Sequence, residues 1–184
     1  MRMKPMVLIA LSVLLVTQVL VQAATRNAAA WQSGTIREIR HELVTLPYYD
    51  VFDWLEGEVL ADGTVILRGE VVHSTIRSDA EARVKKVEGV TKVVNQIEVL
   101  PPSPGDDRLR LALYRALFNL DSPLFGYAHR AVPPIHIIVK NGRATLKGVV
   151  ATAQEAQLAY IKARSVPGLF DVKNELRVES EGNR

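Results

Sequence analysis

The sequence DGTVILRGEV at residues 62–71 reappears 79 positions later as NGRATLKGVV at residues 141–150. Each copy begins with a dipeptide, Asp62-Gly63 or Asn141-Gly142, that favours a tight hairpin turn because both of its residues tolerate positive φ. The match extends without a gap to residue 99 of the first copy and includes ten identities in 38 positions. It indicates two copies of one small domain, since a solenoid is built from more and shorter repeats.

Both copies predict the same order of elements: an amphipathic helix, two strands joined by the hairpin, a second helix and a closing strand. The second helix has one apolar face in each copy. That face comprises Ile76, Ala80, Val84 and Val87 in the first copy, and Ala156, Ala159, Ala163 and Val166 in the second. In the second copy, Thr152 and Glu155 have the spacing of a capping box. We expect an α+β fold of two domains, each with a three-stranded mixed sheet packed against two helices.

The copies share a signature of Leu-x-Gly-x-Val in the hairpin and Val-x-Asn-x-Ile/Leu-x-Val in the closing strand, with a Gly between them after the helix. Its residues are Leu67, Gly69, Val71, Gly89, Val90, Val93, Asn95, Ile97 and Val99, and then Leu146, Gly148, Val150, Gly168, Val172, Asn174, Leu176 and Val178. This signature resembles the BON domain, a family named for bacterial osmotic-stress and nodulation proteins. The resemblance implies a tandem, non-catalytic protein of the periplasm or outer membrane, associated with envelope integrity, whose second domain carries a phospholipid site.

The repeat and its flanking composition define the expected domain bounds. These are a signal peptide at 1–23, an N-terminal linker at 24–32, a first BON-like domain at 33–100, a Pro-rich linker at 101–105, a second BON-like domain at 106–180 and a C-terminal tail at 181–184. The linker contains three prolines, which stop both helix and sheet and make it a short, stiff spacer. The two domains are therefore expected to be close neighbours.

The first residues have the layout of a secretory signal peptide. Arg2 and Lys4 precede an apolar stretch of 15 residues at 7–21, and the small residues Ala23 and Ala24 follow it. The stretch is short for a helix that crosses about 30 Å of hydrocarbon, which favours cleavage near Ala23 over an uncleaved anchor. We expect a periplasmic protein, either free or peripheral at the outer membrane. Because the chain has no Cys, we do not expect a lipoprotein, a disulfide or a zinc ribbon.

Composition and charge narrow the classes of partner. The chain is 48% hydrophobic and 23% charged, values typical of a globular protein and not of a disordered one. Its formal net charge of +3 is mild, and we expect no nucleic-acid partner. Residues 24–100 contain 9 basic and 12 acidic residues (−3), whereas residues 101–184 contain 12 basic and 8 acidic residues (+4). We therefore expect only the second domain to be attracted to an anionic surface.

The first helix of the second copy has apolar residues on two sides. Its predicted core stripe comprises Leu109, Leu113, Ala116, Leu117 and Leu120. At 100° per residue, the opposite side carries Leu111, Tyr114 and Phe118, flanked by Arg108, Arg110 and Arg115. Apolar and aromatic residues bordered by arginines suit a bilayer interface. The candidate lipid- or partner-binding residues are therefore Arg108, Leu111, Tyr114, Arg115, Phe118 and, from the following loop, Arg130. Packing on the first domain and self-association are the alternatives for the apolar side.

A second candidate surface is a basic sheet face formed by Lys140, Arg143 and Lys147. For this face an ordinary solvated surface is the alternative.

Two functions follow from these surfaces. The first is a non-enzymatic envelope protein whose second domain binds anionic phospholipid and contributes to envelope integrity or osmotic-stress tolerance. The alternative is a protein-interaction adaptor in the periplasm, in which the same side binds another envelope protein or a second copy to form a homo-oligomer.

Catalytic chemistry finds little support in the sequence. The four His residues lack metal-ligand spacing, and no GxSxG, GxGxxG or P-loop motif occurs. We therefore expect no enzymatic activity, cofactor or metal site. An acidic run at Asp50, Asp53, Glu56 and Glu58 is predicted to be structural surface, and His136 to be packed or on the surface. The aromatic segment at 46–54 is predicted to pack in the core or between the domains.

Overall fold

The computed structural model describes residues 33–179. The predicted signal peptide, N-terminal linker and C-terminal tail lie outside the described residues. The helices are α1 at residues 33–44, α2 at Ser74–Val84, α3 at Pro104–Leu117 and α4 at Ala153–Arg164, and a 3₁₀ turn covers Phe125–His129. The strands are β1 at Trp54–Val59, β2 at Thr64–Val71, β3 at Lys92–Val99, β4 at Ile135–Lys140, β5 at Arg143–Val150 and β6 at Asp171–Val178.

The two halves of the chain form two sheets of the same topology. The sheets have the orders β1-β2-β3 and β4-β5-β6. In each sheet the hairpin pair is antiparallel and the helix-connected pair is parallel, as the length of each connection requires. This arrangement confirms the predicted α+β fold of two three-stranded mixed sheets, each packed against two helices.

Each domain has its own core between the inner face of its sheet and its two helices. The predicted faces of α2 and α4 are confirmed, since Ile76, Ala80 and Val84 have no exposed surface and Ala159 and Ala163 are equally buried. Each fully buried aliphatic side chain of this kind contributes about 1.5–3 kcal/mol of transfer free energy.

The signature Gly and Asn residues have definite structural roles. Gly69 and Gly148 have φ of 132° and 124°. A Cβ on Gly69 would overlap the backbone of Trp54 in β1, and a Cβ on Gly148 would overlap the backbone of Pro134 directly before β4. Asn174 fastens β6 to α4, because its Nδ2 donates to the carbonyl of Ala156 at 3.0 Å. Asn95 fastens β3 to α2 in the same way, because its Nδ2 donates to the carbonyl of Arg77 at 2.9 Å.

The start of α3 is fastened to the β4–β5 hairpin. The Ser103 hydroxyl caps the helix by accepting from the Asp106 amide at 3.2 Å. The buried Asp106 carboxylate in turn accepts from the amides of Asn141 and Gly142 at 2.9 and 2.8 Å. The predicted capping box at Thr152 and Glu155 is present at the start of α4.

The two domains pack against each other, and the aromatic segment at 46–54, predicted to pack in the core or between the domains, places Tyr49 and Trp54 between them. Tyr48 departs from this prediction, because it is 76% exposed. The His136 ring lies 5.5 Å from the ring of Tyr49 and 5.1 Å from that of Trp54. The Val51 carbonyl accepts from the Ile137 amide of β4 at 2.7 Å. Every residue of β4 except Lys140 is therefore buried, although alternate residues point away from the core of the second domain.

Candidate functional site

Helix α3 exposes one stripe of residues, which we call the arginine stripe: Arg108, Leu111 and Arg115. Both arginines are exposed, and Leu111 is 49% exposed between them. Within residues 33–179, neither arginine forms an ion pair with a carboxylate. The stripe therefore presents two unpaired guanidinium groups, each with five N–H donors, around one aliphatic side chain.

The predicted outward position of Phe118 is wrong. Phe118 is 6% exposed and belongs to the core of the second domain. Helix α3 ends at Leu117, and Phe118 has φ −113° and ψ 31°, so the helical spacing of 100° per residue no longer applies to it. The same helix end explains a second error, because Leu120 was predicted in the core stripe and is 81% exposed.

Tyr114 lies between the domains and not on a free surface. It is half-buried, and its ring lies 6.3 Å from Phe52 of the first domain and 5.1 Å from Phe118. The alternative of packing on the first domain thus describes Tyr114, whereas Leu111 keeps half of its surface exposed.

Arg110 is also buried and does not border an exposed surface. It is 4% exposed, and its Nη2 donates to the Val139 carbonyl of β4 at 2.7 Å. Its Nη1 pairs with Asp107 in the preceding turn. This arginine therefore anchors α3 to the second sheet.

The loop after α3 leaves Arg130 exposed. Its guanidinium carbon lies 5.0 Å from the centre of the Tyr127 ring, a cation–π arrangement. Tyr127 itself is 8% exposed, donates to Glu155 and accepts from the Ala151 amide, both at 3.0 Å. It plugs the core and holds Arg130 near the start of α4.

The predicted basic sheet face is not a single free surface. Lys140 pairs with Glu98 of the first domain at 2.6 Å. Lys147 pairs with Glu70 at 3.4 Å, and its side chain is only 18% exposed. Both of these ion pairs link the second sheet to the first domain, and the Lys140–Glu98 pair is exposed. Of the three predicted residues, only Arg143 forms no ion pair within residues 33–179, and it is exposed.

A groove of about 210 Å³ runs between the first domain and α3. It is lined by Asp50, Phe52, Val72, His73, Asp107, Arg110 and Leu111. Leu111 therefore lies both on the arginine stripe and at the wall of the groove.

The prediction that Asp53 is a surface residue is wrong. It is 1% exposed, and its carboxylate accepts from the amides of Val72 at 2.7 Å and Asp50 at 3.1 Å. Burial raises the pKa of Asp53 to about 6, against the lowering effect of these two bonds. His136, predicted to be packed or on the surface, is packed and 3% exposed, and burial lowers its pKa. His136 thus lies at the domain interface, whereas Asp53 joins the residues before β1 to the end of β2 within the first domain.

One exposed residue of the second domain was missed by the sequence reasoning. Phe170, directly before β6, is 81% exposed. A comparison of the two copies could have found it, because the equivalent residue of the first copy is Thr91.

Among residues 33–179, no helix is long and apolar enough to cross a membrane. The same described part of the chain contains no group of three or more potential metal ligands.

Comparisons with known proteins give one family. The BON domain matches residues 58–101 and 124–180. No curated protein matches the chain. Two similar solved structures are of CdsD, a structural protein of the type III secretion system of Chlamydia trachomatis. The first is 16% identical, covers 80% of this chain and 94% of its own, and has a TM-score of 0.31. The second, its C-terminal domain, is 14% identical, with coverages of 77% and 96% and a TM-score of 0.30. Such TM-scores support no conclusion about function.

Proposed function

The chain belongs to the BON domain family, and from this premise we propose that it is a non-enzymatic envelope protein whose second domain binds anionic phospholipid surfaces. Proteins of this family are associated with the periplasm and the envelope, and the family is generally non-catalytic. The signal-peptide layout of residues 1–23 supports export to the periplasm. A role in envelope integrity or osmotic-stress tolerance is part of this proposal.

The arginine stripe is the observation that carries the proposal. Arg108 and Arg115 are exposed and, within the described chain, without a carboxylate partner, so they are available for phosphate oxygens. Leu111 lies between them and is 49% exposed. An arginine near a phosphate group forms paired, charge-assisted hydrogen bonds, while an adjacent aliphatic side chain enters the headgroup layer.

The charge distribution supports the second domain over the first. Residues 101–184 have a net charge of +4 and residues 24–100 a net charge of −3. In the first domain, Arg68 and Arg83 pair with Glu58 and Glu42. The positive net charge of the second domain favours contact with an anionic membrane, whereas the negative net charge of the first domain opposes it.

Binding to vesicles tests this function. The chain is mixed with vesicles of phosphatidylcholine containing phosphatidylglycerol, and the bound fraction is measured by co-sedimentation at increasing salt. Each basic residue near an anionic surface contributes about 1 kcal/mol, so R108Q/R115Q is expected to bind about 30-fold more weakly. R37Q/R77Q is the matched control, because both of these arginines are exposed on helices of the first domain.

Equal losses in the two double variants would contradict a site on the second domain. A wild-type chain that does not bind anionic vesicles would favour the adaptor alternative. In that case the stripe serves another envelope protein or a second copy of the chain.

A further inference from the structure

Phe170 projects into solvent at the hairpin end of the second sheet. It is 81% exposed, and its amide donates to the Gly142 carbonyl of the β4–β5 turn at 2.9 Å. The ring lies against this turn, since a Cβ on Gly142 would lie 2.6 Å from ring atom Cδ2. The ring therefore contacts the turn at Gly142, while most of the ring surface remains exposed to solvent.

The first domain indicates that the fold does not need an aromatic residue here. Thr91 occupies the equivalent position, and its amide donates to the Gly63 carbonyl at 3.0 Å in the same way. The Thr91 hydroxyl adds a bond to the Asp62 carbonyl at 3.0 Å. A small polar residue thus satisfies the local geometry, and Phe170 is not among the residues packed against the core of the second domain.

The adjoining hairpin carries more positive charge in the second copy than in the first. It reads ADGT at residues 61–64 and KNGR at residues 140–143. Lys140 pairs with Glu98, and Asp171 is the cross-strand neighbour of Arg143. Arg143 is nevertheless exposed and, among the described residues, forms no ion pair. Because Asp106 ties the start of α3 to this hairpin, the exposed Arg108 in the next part of α3 belongs to the same end of the domain.

We propose that Phe170 and the basic hairpin form a tip that inserts into the interface of an anionic phospholipid membrane. The inference rests on the proposed function and specifies where the second domain first touches the lipid. An aromatic ring is favoured at the boundary between hydrocarbon and headgroups, and the neighbouring arginines meet phosphate oxygens. A single ring that projects from a turn suits a deformable lipid layer, because it offers no groove or flat patch to a protein partner.

The test uses residues 24–184, which contain both domains without the expected signal peptide, and vesicles of phosphatidylcholine with and without phosphatidylglycerol. We expect F170T to bind the anionic vesicles about tenfold more weakly and R143Q about fivefold more weakly. The Thr variant carries the residue of the first copy, so it is expected to fold. L120T is the matched control: Leu120 is equally exposed but follows the far end of α3, so its replacement is expected to change binding less than twofold.

A spectroscopic variant gives an independent readout. In F170W, the added tryptophan emission is expected to shift to the blue with anionic vesicles and to be quenched by brominated lipid, relative to the wild-type signal. If the wild type binds anionic vesicles and F170T binds them equally well, the tip is overturned and the proposed function stands. The same holds if the wild type binds and the tryptophan emission of F170W does not shift to the blue. Absence of wild-type binding overturns both. A dimer that sedimentation equilibrium detects in the wild type but not in F170T would identify a second copy as the occupant, and it would also overturn the tip.

Discussion

Replacing Ile138 by Ala tests whether the two domains form one packed unit. Ile138 is 4% exposed, yet it points away from the core of its own domain, since it alternates along β4 with the core residues Ile137 and Val139. On that outer face it lies between His136 and Lys140, and both of these contact the first domain. Its burial therefore depends on the neighbouring domain.

The expected cost follows from this burial. An Ile-to-Ala substitution at a buried site costs about 2–4 kcal/mol, the sum of lost transfer free energy and the cavity left behind. For a chain of this length, this corresponds to a decrease in Tm of about 5–15 °C. At a solvent-exposed site, the same substitution costs about 0.5 kcal/mol or less.

Urea unfolding measures the cost, followed by far-UV circular dichroism and by tryptophan fluorescence. I137A is the matched control, because the Ile137 side chain belongs to the core of the second domain, on the opposite face of β4 from Ile138. We expect similar losses for the two variants and coincident transitions for the two probes. A normal loss for I137A beside a loss below about 0.5 kcal/mol for I138A would refute the reasoning that the first domain covers this face.

Three further outcomes are expected. Burial lowers the pKa of His136 below its unfolded value of 6.5, so the unfolded state binds more protons and the free energy of unfolding falls as the pH drops below 6.5. In urea unfolding measured from pH 8 to 5, H136F should therefore lose less stability with falling pH than the wild type. Equal dependence of the free energy of unfolding on pH in the two proteins would contradict this. G148A should unfold or lose several kcal/mol in thermal scans, because the Cβ overlaps the backbone at Pro134, whereas G105A, where the Cβ meets only the Ser103 hydroxyl at 3.7 Å, should be nearly neutral. D106A should lose about 2–4 kcal/mol in urea unfolding, because it leaves two hairpin amides without their charged acceptor; a loss under 0.5 kcal/mol would show that the carboxylate does not fasten α3.

The fold was predictable because its decisive signals are local and occur twice. The Asn141-Gly142 turn has φ of 53° and 71°, which the dipeptide itself favours. The face of α4 follows from a spacing of three to four residues. Neither signal needs knowledge of what lies next to the domain.

The candidate site was predicted less well, because its residues depend on neighbours distant in the sequence. The spacing rule placed Phe118 outward, but it does not show where α3 ends. Lys140 and Lys147 were read as a basic face, since their partners Glu98 and Glu70 lie in the other domain. The sequence does not distinguish Asp53 from an ordinary surface acid. Its carboxylate accepts hydrogen bonds from two backbone amides, those of Val72 and Asp50, which only the folded chain brings together.

The bond from Ile137 to the Val51 carbonyl has a consequence for any proteolytic fragment of this protein. In the intact chain, the backbone of the first domain at Val51 covers the edge of β4 in the second sheet. Cleavage in the proline-rich linker followed by separation would remove the acceptor of the Ile137 amide and uncover the edge of β4, and an uncovered strand edge can pair with another such fragment. Because both domains are on one polypeptide, the first domain stays next to β4 and protects the second domain from aggregation through this edge.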